Sequence, residues 1–476
     1  MIARHALTYV GSRALAAGLN MASVAVFTRL ASVETYGAYL LVLSWALVLY
    51  GATCQWPKFS FFALYDEARA PAQTGTVVRL LAAMLGLAGL AGAAAVACGL
   101  ARGPATAAVL AAVAGMTLFE AACEIARARL AAGAVAVAIL ARAVLILGLG
   151  SLALAGTGGP LDLVFAVAGA NALAALPALR AIAPLLRGGG STAEARRLIA
   201  YGWPLVLSFG IAALAQTSDR LIIGRMAGAG ELGAYGAVAD FLRQSFVVFG
   251  ESVALSLVSI AKRDARAGGM IAAAPVLRDA ARTLTLLAAF GAVFVLSFDD
   301  LIVAVLLGPA YRAQALALAP VLLAASVLLM FRSYYFGQII YFARTSHLDA
   351  FASAALLVAV AGLSVLLIPR LGVMGAAVAF AAGQGVACLV FVLGARLAPA
   401  RDRVRMPVPL ADLAGIALGA ALCGALLAGI GLLPGGRGAM GEALRLALLA
   451  AGFAAAAWRF NIVGLADALR RRRGAA

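Results

Sequence analysis

Few side chains in this sequence can do chemistry, and most that can interrupt runs of apolar residues. Of 476 residues only 12% are charged, 37 Lys and Arg against 20 Asp and Glu. The densest group is Asp240, Arg243, Gln244 and Glu251, whose spacing puts all four on one face of a helix. Such a face can line a polar path through an apolar environment, or Asp240 and Arg243 can simply neutralise each other. Arg13 and Asn20 fall on one stripe two helical turns apart, with Arg13 near enough to a helix end to snorkel. Arg142 stands mid-run with no acidic neighbour, which favours a cavity or a partner on another helix. Gln216, Asp219 and Arg220 share a face and read as a structural pair or a gate. Glu120, Glu124 and Arg127 form a row that reads as a solvated helix end, and Arg332 beside Tyr334 and Tyr335 reads as an interfacial anchor.

Other chemistry is largely excluded. Cys54, Cys98, Cys123, Cys388 and Cys423 have no paired spacing, which argues against disulfides and metal ligation. His5 and His347 are the only histidines, so no metal site and no cofactor is expected. A phosphate-cradling glycine loop with its lysine is absent, which argues against direct ATP use. Asp299-Asp300 is the one paired-carboxylate hint, without His or Arg nearby in sequence, so an enzyme is not expected. The net charge of +17 needs no nucleic acid, because arginines facing an anionic inner leaflet account for it.

The elements that must hold these residues are membrane helices. The chain is 64% hydrophobic, and runs of roughly twenty apolar residues recur along it, each long enough to cross a bilayer. Short alternating segments of the barrel type are missing. An all-α polytopic membrane protein with about fourteen transmembrane helices is expected, the first at 7–28 and the last at 441–460. The eighth span, 233–258, carries the Asp240 group. Because Arg13 and Asn20 interrupt the first apolar stretch, it reads as a permanent helix rather than a cleaved signal. With the N-terminus inside, Lys and Arg are roughly threefold enriched in the inner loops, a positive-inside signal. Both termini, including the basic tail Arg470 to Arg473, are therefore expected in the cytoplasm.

A repeat groups the helices. Arg29 precedes Gly37-Ala38-Tyr39, and Arg225 precedes Gly233-Ala234-Tyr235 at the same spacing, 196 residues later. The offset carries the first helix pair onto the seventh and eighth helices. Two six-helix lobes, 1–190 and 191–400, are expected, related by a pseudo-two-fold axis along the membrane normal, with 401–476 adding two helices and the tail. Parallel repeats around a central cavity are an architecture of alternating access.

Several segments then resemble a known family. Tyr201-Gly202-Trp203-Pro204-Leu205, Ser218-Asp219-Arg220-Leu221-Ile222-Ile223-Gly224 and Gly233-Ala234-Tyr235 resemble the seventh-to-eighth helix signature of oligosaccharide flippases. Thr28-Arg29-Leu30 with Tyr36-Gly37-Ala38-Tyr39, Leu307-Gly308-Pro309-Ala310-Tyr311, and Gly372-Val373-Met374-Gly375-Ala376-Ala377 are similar to three further family segments, in the family's order. The family is the polysaccharide transporter (Wzx-type) branch of the multidrug/oligosaccharidyl-lipid/polysaccharide exporter superfamily. The resemblance implies an inner-membrane flippase that moves a polyprenyl-diphosphate-linked oligosaccharide to the outer leaflet. Arg13, Arg29, Arg142 and Arg243 are then the candidates for the diphosphate, since guanidinium forks match phosphate oxygens. Asn20, Gln216 and Gln244 are cavity candidates, and Asp240, Glu251, Asp219 and Arg220 are candidates for ion coupling or gating. The implied partners are the lipid-linked oligosaccharide, membrane lipids and a polymerase or export machinery, with the flippase itself a monomer. A drug or cation antiporter of the same superfamily is the nearest alternative, and a membrane-embedded glycosyltransferase or polymerase the more distant one.

Overall fold

In the computed structural model, residues 2–342, 347–397 and 404–462 are described, and among them there is helix but no strand. In chain order the helices are α1 (Ile2–Leu30), α2 (Val33–Thr53), α3 (Gln55–Ala63), α4 (Ala70–Ala97), α5 (Gly103–Ala128), α6 (Ala132–Gly156), α7 (Pro160–Ala174), α8 (Leu176–Leu186) and α9 (Thr192–Met226). There follow α10 (Ala229–Val253), α11 (Ser259–Ser297), α12 (Asp299–Leu306), α13 (Arg312–Tyr334), α14 (His347–Leu371), α15 (Val373–Leu397), α16 (Leu410–Gly431) and α17 (Ala439–Arg459). Their starts are set by local chemistry. The Ser32 hydroxyl accepts from the Thr35 amide at 3.1 Å to cap α2. Prolines sit in the first turns of α4, α5, α7 and α8, where a missing N–H costs nothing.

Large apolar side chains face outward, as a lipid solvent demands. Leu90 is 71% exposed, Leu152 70% and Val358 72%, each on a helix surface that water would penalise. Among the described residues eleven helical segments are long and apolar enough to span a membrane, or twelve if α7 and α8, bent by 53°, form one broken span. That is fewer than the fourteen expected. The segment Ala229–Ser297 is counted as one, although Gly268 and Gly269 break it. Gly269 has φ 71°, a left-handed conformation that a glycine accepts without a Cβ penalty.

By contacts the chain forms two compact units. The first comprises Met1–Phe241, Leu306–Ala315 and Leu356–Phe380. In it α1 packs on α6, α2 on α9 and α5, and α7 on α5 and α6. The second comprises Leu242–Val305, Leu316–Ala355 and Ala381–Ala476. There α11, α16 and α17 surround a core that includes Phe290, Ile416, Leu427 and Leu449. The inner-loop arginines Arg344, Arg401 and Arg403 and the basic tail lie outside the described residues.

Two expected spans are built differently. The expected second span, 36–56, passes at its end into a separate helix, α3, which buries Trp56, Pro57, Ser60 and Phe61 and carries Lys58. The ninth span ends at Ser297, and Asp299 and Asp300 occupy the first turn of α12, where carboxylates meet the positive helix end. The tertiary fold also brings Arg437 to within 3.5 Å of Asp300, a partner that sequence proximity did not show.

Candidate functional site

The residues of the repeat and the flanking motifs meet at one place in the first compact unit. Gly37 of α2 and Gly233 of α10 lie in mutual contact. A methyl group on Gly37 would overlap the carbonyl oxygen of Ala229, and one on Gly233 would overlap that of Val33. These two contacts exchange under the 196-residue offset, since Val33 maps onto Ala229 and Gly37 onto Gly233. The repeat is therefore a local two-fold contact in space. Small residues let two membrane helices approach to backbone distance, which is how such pairs gain packing energy in lipid.

The Leu307–Tyr311 motif closes over the same junction. The Gly308 amide donates to Thr28 Oγ1 at 3.1 Å, and the Tyr311 hydroxyl donates to the carbonyls of Ala31 and Ser32 at 3.2 and 3.0 Å. The Ala31 carbonyl, just past the end of α1, thus finds a donor, and the Ser32 carbonyl gains a second one beside the Tyr36 amide. Tyr311 also meets Tyr36 edge-on, with ring centroids 6.2 Å apart.

Beside this junction lies a buried polar group. Asp219, fully buried on α9, accepts a 2.6 Å hydrogen bond from the Tyr235 hydroxyl. Arg220, also buried, forms an ion pair with Asp240 of α10. Asp219 and Arg220 thus each reach across to α10, and Asp240 has a cross-helix cation in addition to its helical neighbour Arg243. Gln216, on the same helix, is exposed.

A second cluster gathers Arg142. Its Nη1 lies 3.4 Å from Glu120 Oε1, while Lys58 Nζ lies 3.3 Å from Glu120 Oε2. Three helices, α3, α5 and α6, therefore converge on one carboxylate. Glu120 is not a solvated helix end: its side chain is 28% exposed and bridges two cations. Glu124 and Arg127 pair with each other one turn on. Sequence spacing pointed Arg142 to another helix, and its carboxylate partner is found there.

The remaining candidates are spread. Arg13 and Asn20 are half-buried on α1. Arg29 is exposed, and its Nη1 donates to the Ala25 carbonyl at 2.6 Å, near the C-terminal end of its own helix. Arg243, Gln244 and Glu251 are half-buried along α10, which gives way to a π-helical turn at Ala254–Val258 just after Glu251. Arg332 is buried, not an exposed interfacial anchor, and donates to Ser353 Oγ at 3.1 Å. Arg445 is buried on α17, pairs with Glu442 and lies over the Phe298 ring at 4.9 Å. Among the described residues no group of His, Cys, Asp and Glu could hold a metal ion.

Known structures share this architecture along almost its whole length. A structure titled lipid II flippase MurJ, inward closed conformation, matches with a TM-score of 0.74 at 9% identity, over 95% of this chain and 98% of that one. An inward-facing multidrug resistance MATE family transporter of the MOP superfamily matches with 0.61 at 14% identity, over 80% and 93%. A MATE structure in the bent conformation matches with 0.55 at 14%, over 88% and 96%. The chain has the fold of these MurJ and MATE structures. Residues 172–316 also match the family model described as polysaccharide biosynthesis protein, a stretch that includes Asp219, Arg220, Gly233, Tyr235, Asp240 and Arg243. No curated protein matches the sequence.

Proposed function

We propose that this protein is a flippase that carries a lipid-linked glycan from the cytoplasmic to the outer leaflet of a bacterial inner membrane by alternating access. The observation that carries the reading is the match of residues 172–316 to a polysaccharide biosynthesis family, over the segment that holds the cross-helix polar group. The MurJ-like fold over 95% of the chain supports a lipid-linked cargo. The MATE structures support the antiporter alternative less well, since they cover 80% and 88% of this chain. The length they leave over is comparable with α16, α17 and the segments around them.

The cargo's diphosphate must cross a low-dielectric slab, and arginines placed along the path replace its water with charge-assisted hydrogen bonds. Arg13, Arg142 and Arg243 fill that role, with Arg29 at the end of α1, and Asn20, Gln216 and Gln244 meet sugar hydroxyls. Asp240 and Glu251 carry the coupled ion, while Asp219 and Arg220 hold the gate. The two six-helix lobes, 1–190 and 191–400, supply the alternation, and both termini face the cytoplasm. The protein acts as a monomer alongside a polymerase or export machinery.

Deleting the gene and extracting lipids tests the reading. Lipid-linked oligosaccharide should accumulate in the inner leaflet, and a plasmid copy carrying Arg243→Ala, present in the membrane at wild-type level, should fail to clear it. Unchanged lipid intermediates and unchanged surface polysaccharide in a strain without a second flippase would overturn the proposal.

A further inference from the structure

We infer that Lys58, Arg142 and Tyr50 form a phosphate-binding site that Glu120 fills while no cargo is bound, and from which the cargo's phosphate displaces it. The identity of the anion rests on the flippase reading; the site itself rests on geometry.

Glu120 is an imperfect occupant. Charge-assisted N–H to carboxylate bonds settle near about 2.8 Å, yet its two contacts measure 3.3 Å to Lys58 and 3.4 Å to Arg142. It engages one nitrogen on each cation, where the guanidinium can offer a two-pronged fork and the ammonium three N–H groups. A tetrahedral phosphate presents more acceptor oxygens than a carboxylate and can satisfy donors arriving from several directions.

The surroundings are arranged for an anion. Arg142 lies over the Phe119 ring at 4.9 Å, and Lys58 Nζ is 5.2 Å from the centre of the Tyr50 ring. These aromatic faces hold the cationic heads in position without using up their N–H donors. The Tyr50 hydroxyl is buried with no hydrogen-bond partner, and it lies within the electrostatic reach of both Glu120 and Arg142. Leaving a buried donor without an acceptor is costly; an oxygen-rich ligand at this place removes that cost. Glu124 and Arg127 cancel each other on the next turn, so the cluster of Lys58, Arg142 and Glu120 keeps one net positive charge.

The site is also reachable. The side chains of Lys58, Glu120 and Arg142 are 17%, 28% and 38% exposed. Glu120 lies eight residues from the end of α5 at Ala128, roughly 12 Å along the helix. That depth places the site inside the apolar slab, at a distance a phosphate with its tail in lipid can reach. A carboxylate that leaves when phosphate arrives offsets half of the cations' charge in the empty carrier and releases both cations to the cargo. It also sets a threshold, since a neutral lipid has nothing with which to displace Glu120.

Equilibrium binding of radiolabelled farnesyl diphosphate to the full-length protein in phosphatidylcholine nanodiscs tests this. Wild type should bind it, and unlabelled farnesol should not compete. Arg142→Gln and Lys58→Met should each weaken binding about tenfold, and Glu120→Gln should tighten it about tenfold, the scale of one lost or gained charge contact. Should Glu120→Gln fail to fold, Glu120→Asp, too short to span both cations, should tighten binding several-fold. Weaker or unchanged binding in the Glu120 variants, with the cation variants still impaired, overturns the displacement and leaves the flippase reading standing. Binding that none of the substitutions alters places the phosphate elsewhere and overturns the site. Absence of wild-type binding removes the site and the diphosphate cargo together. Loss of the probe to phosphatidylglycerol added to the discs assigns the site to bilayer headgroups and overturns the cargo assignment.

Discussion

Asp219, Arg220 and Arg142 in the first compact unit are held by partners on other helices, and that decides how they respond to substitution. Tyr235 donates to a fully buried Asp219, so Tyr235→Phe removes a charge-assisted bond without changing shape. The expected cost is about 1.5–3 kcal/mol, read as a lowered thermal unfolding midpoint of the detergent-solubilised protein. Arg220→Met is expected to cost more, about 3–5 kcal/mol, because it takes the cross-helix cation from Asp240 and a buried cation from beside Asp219. Asp240→Asn should cost less than Arg220→Met, since Asp240 is only half-buried. An equal and negligible effect of both would show that the pair does not hold α9 to α10. These partners explain what the sequence could and could not show. Spacing along α10 made Asp240 and Arg243 visible as one face, because it is a property of a single helix. The reach of Arg220 to Asp240 and of Arg142 to Glu120 depends on which helices are neighbours, which no single-helix pattern contains. Lys58 was hidden for a further reason, since it sits in α3, a helix too short to carry a periodic signal.

At the scale of elements the junction of α2 and α10 is the most specific feature, and it was legible. A three-residue repeat, Gly-Ala-Tyr, marked two helix starts, and both glycines lie at the point where the backbones touch. Gly37→Ala and Gly233→Ala each push a methyl group into a carbonyl oxygen of the facing helix. Each is expected to destabilise by about 3 kcal/mol, at the upper end of ordinary overpacking because backbone cannot swing aside like a side chain. The local two-fold adds a sharper expectation. The two single variants should cost nearly the same, and the double variant clearly less than their sum, because one separation of the helices relieves both clashes. Strict additivity in a double-mutant cycle of unfolding midpoints would show the contacts to be independent and the two-fold incidental. Other element boundaries were not legible for physical reasons. The 53° bend between α7 and α8 lies inside a continuous apolar run, with Pro177 its only mark. The break at Gly268–Gly269 looks in sequence like any pair of glycines within a polar loop.

For the whole molecule, composition alone prescribed helices in lipid, and the outward-facing leucines agree. The count is harder to read than the class, since the segment Ala229–Ser297 runs through more than one expected span and α7 and α8 share a single one across a bend. Direction across the membrane is a different matter, because it is set by arginines in loops and is open to a direct test. With the N-terminus in the cytoplasm, as proposed, the turn between α4 and α5 would face outward. Cys98 lies in that turn and is exposed, whereas Cys54 and Cys123 are buried and Cys388 and Cys423 are half-buried within helices. A membrane-impermeant maleimide added to intact spheroplasts should therefore label the wild-type protein, and Cys98→Ser should remove most of that signal. Labelling that requires permeabilisation would reverse the orientation. The consequence would reach beyond topology: with the chain inverted, the Lys58–Glu120–Arg142 cluster would open toward the outer leaflet, where a flippase releases its cargo, and an anion-capturing site there would work against export. The same maleimide experiment thus constrains the direction of transport, because a capture site is useful only on the face where the lipid-linked phosphate is made.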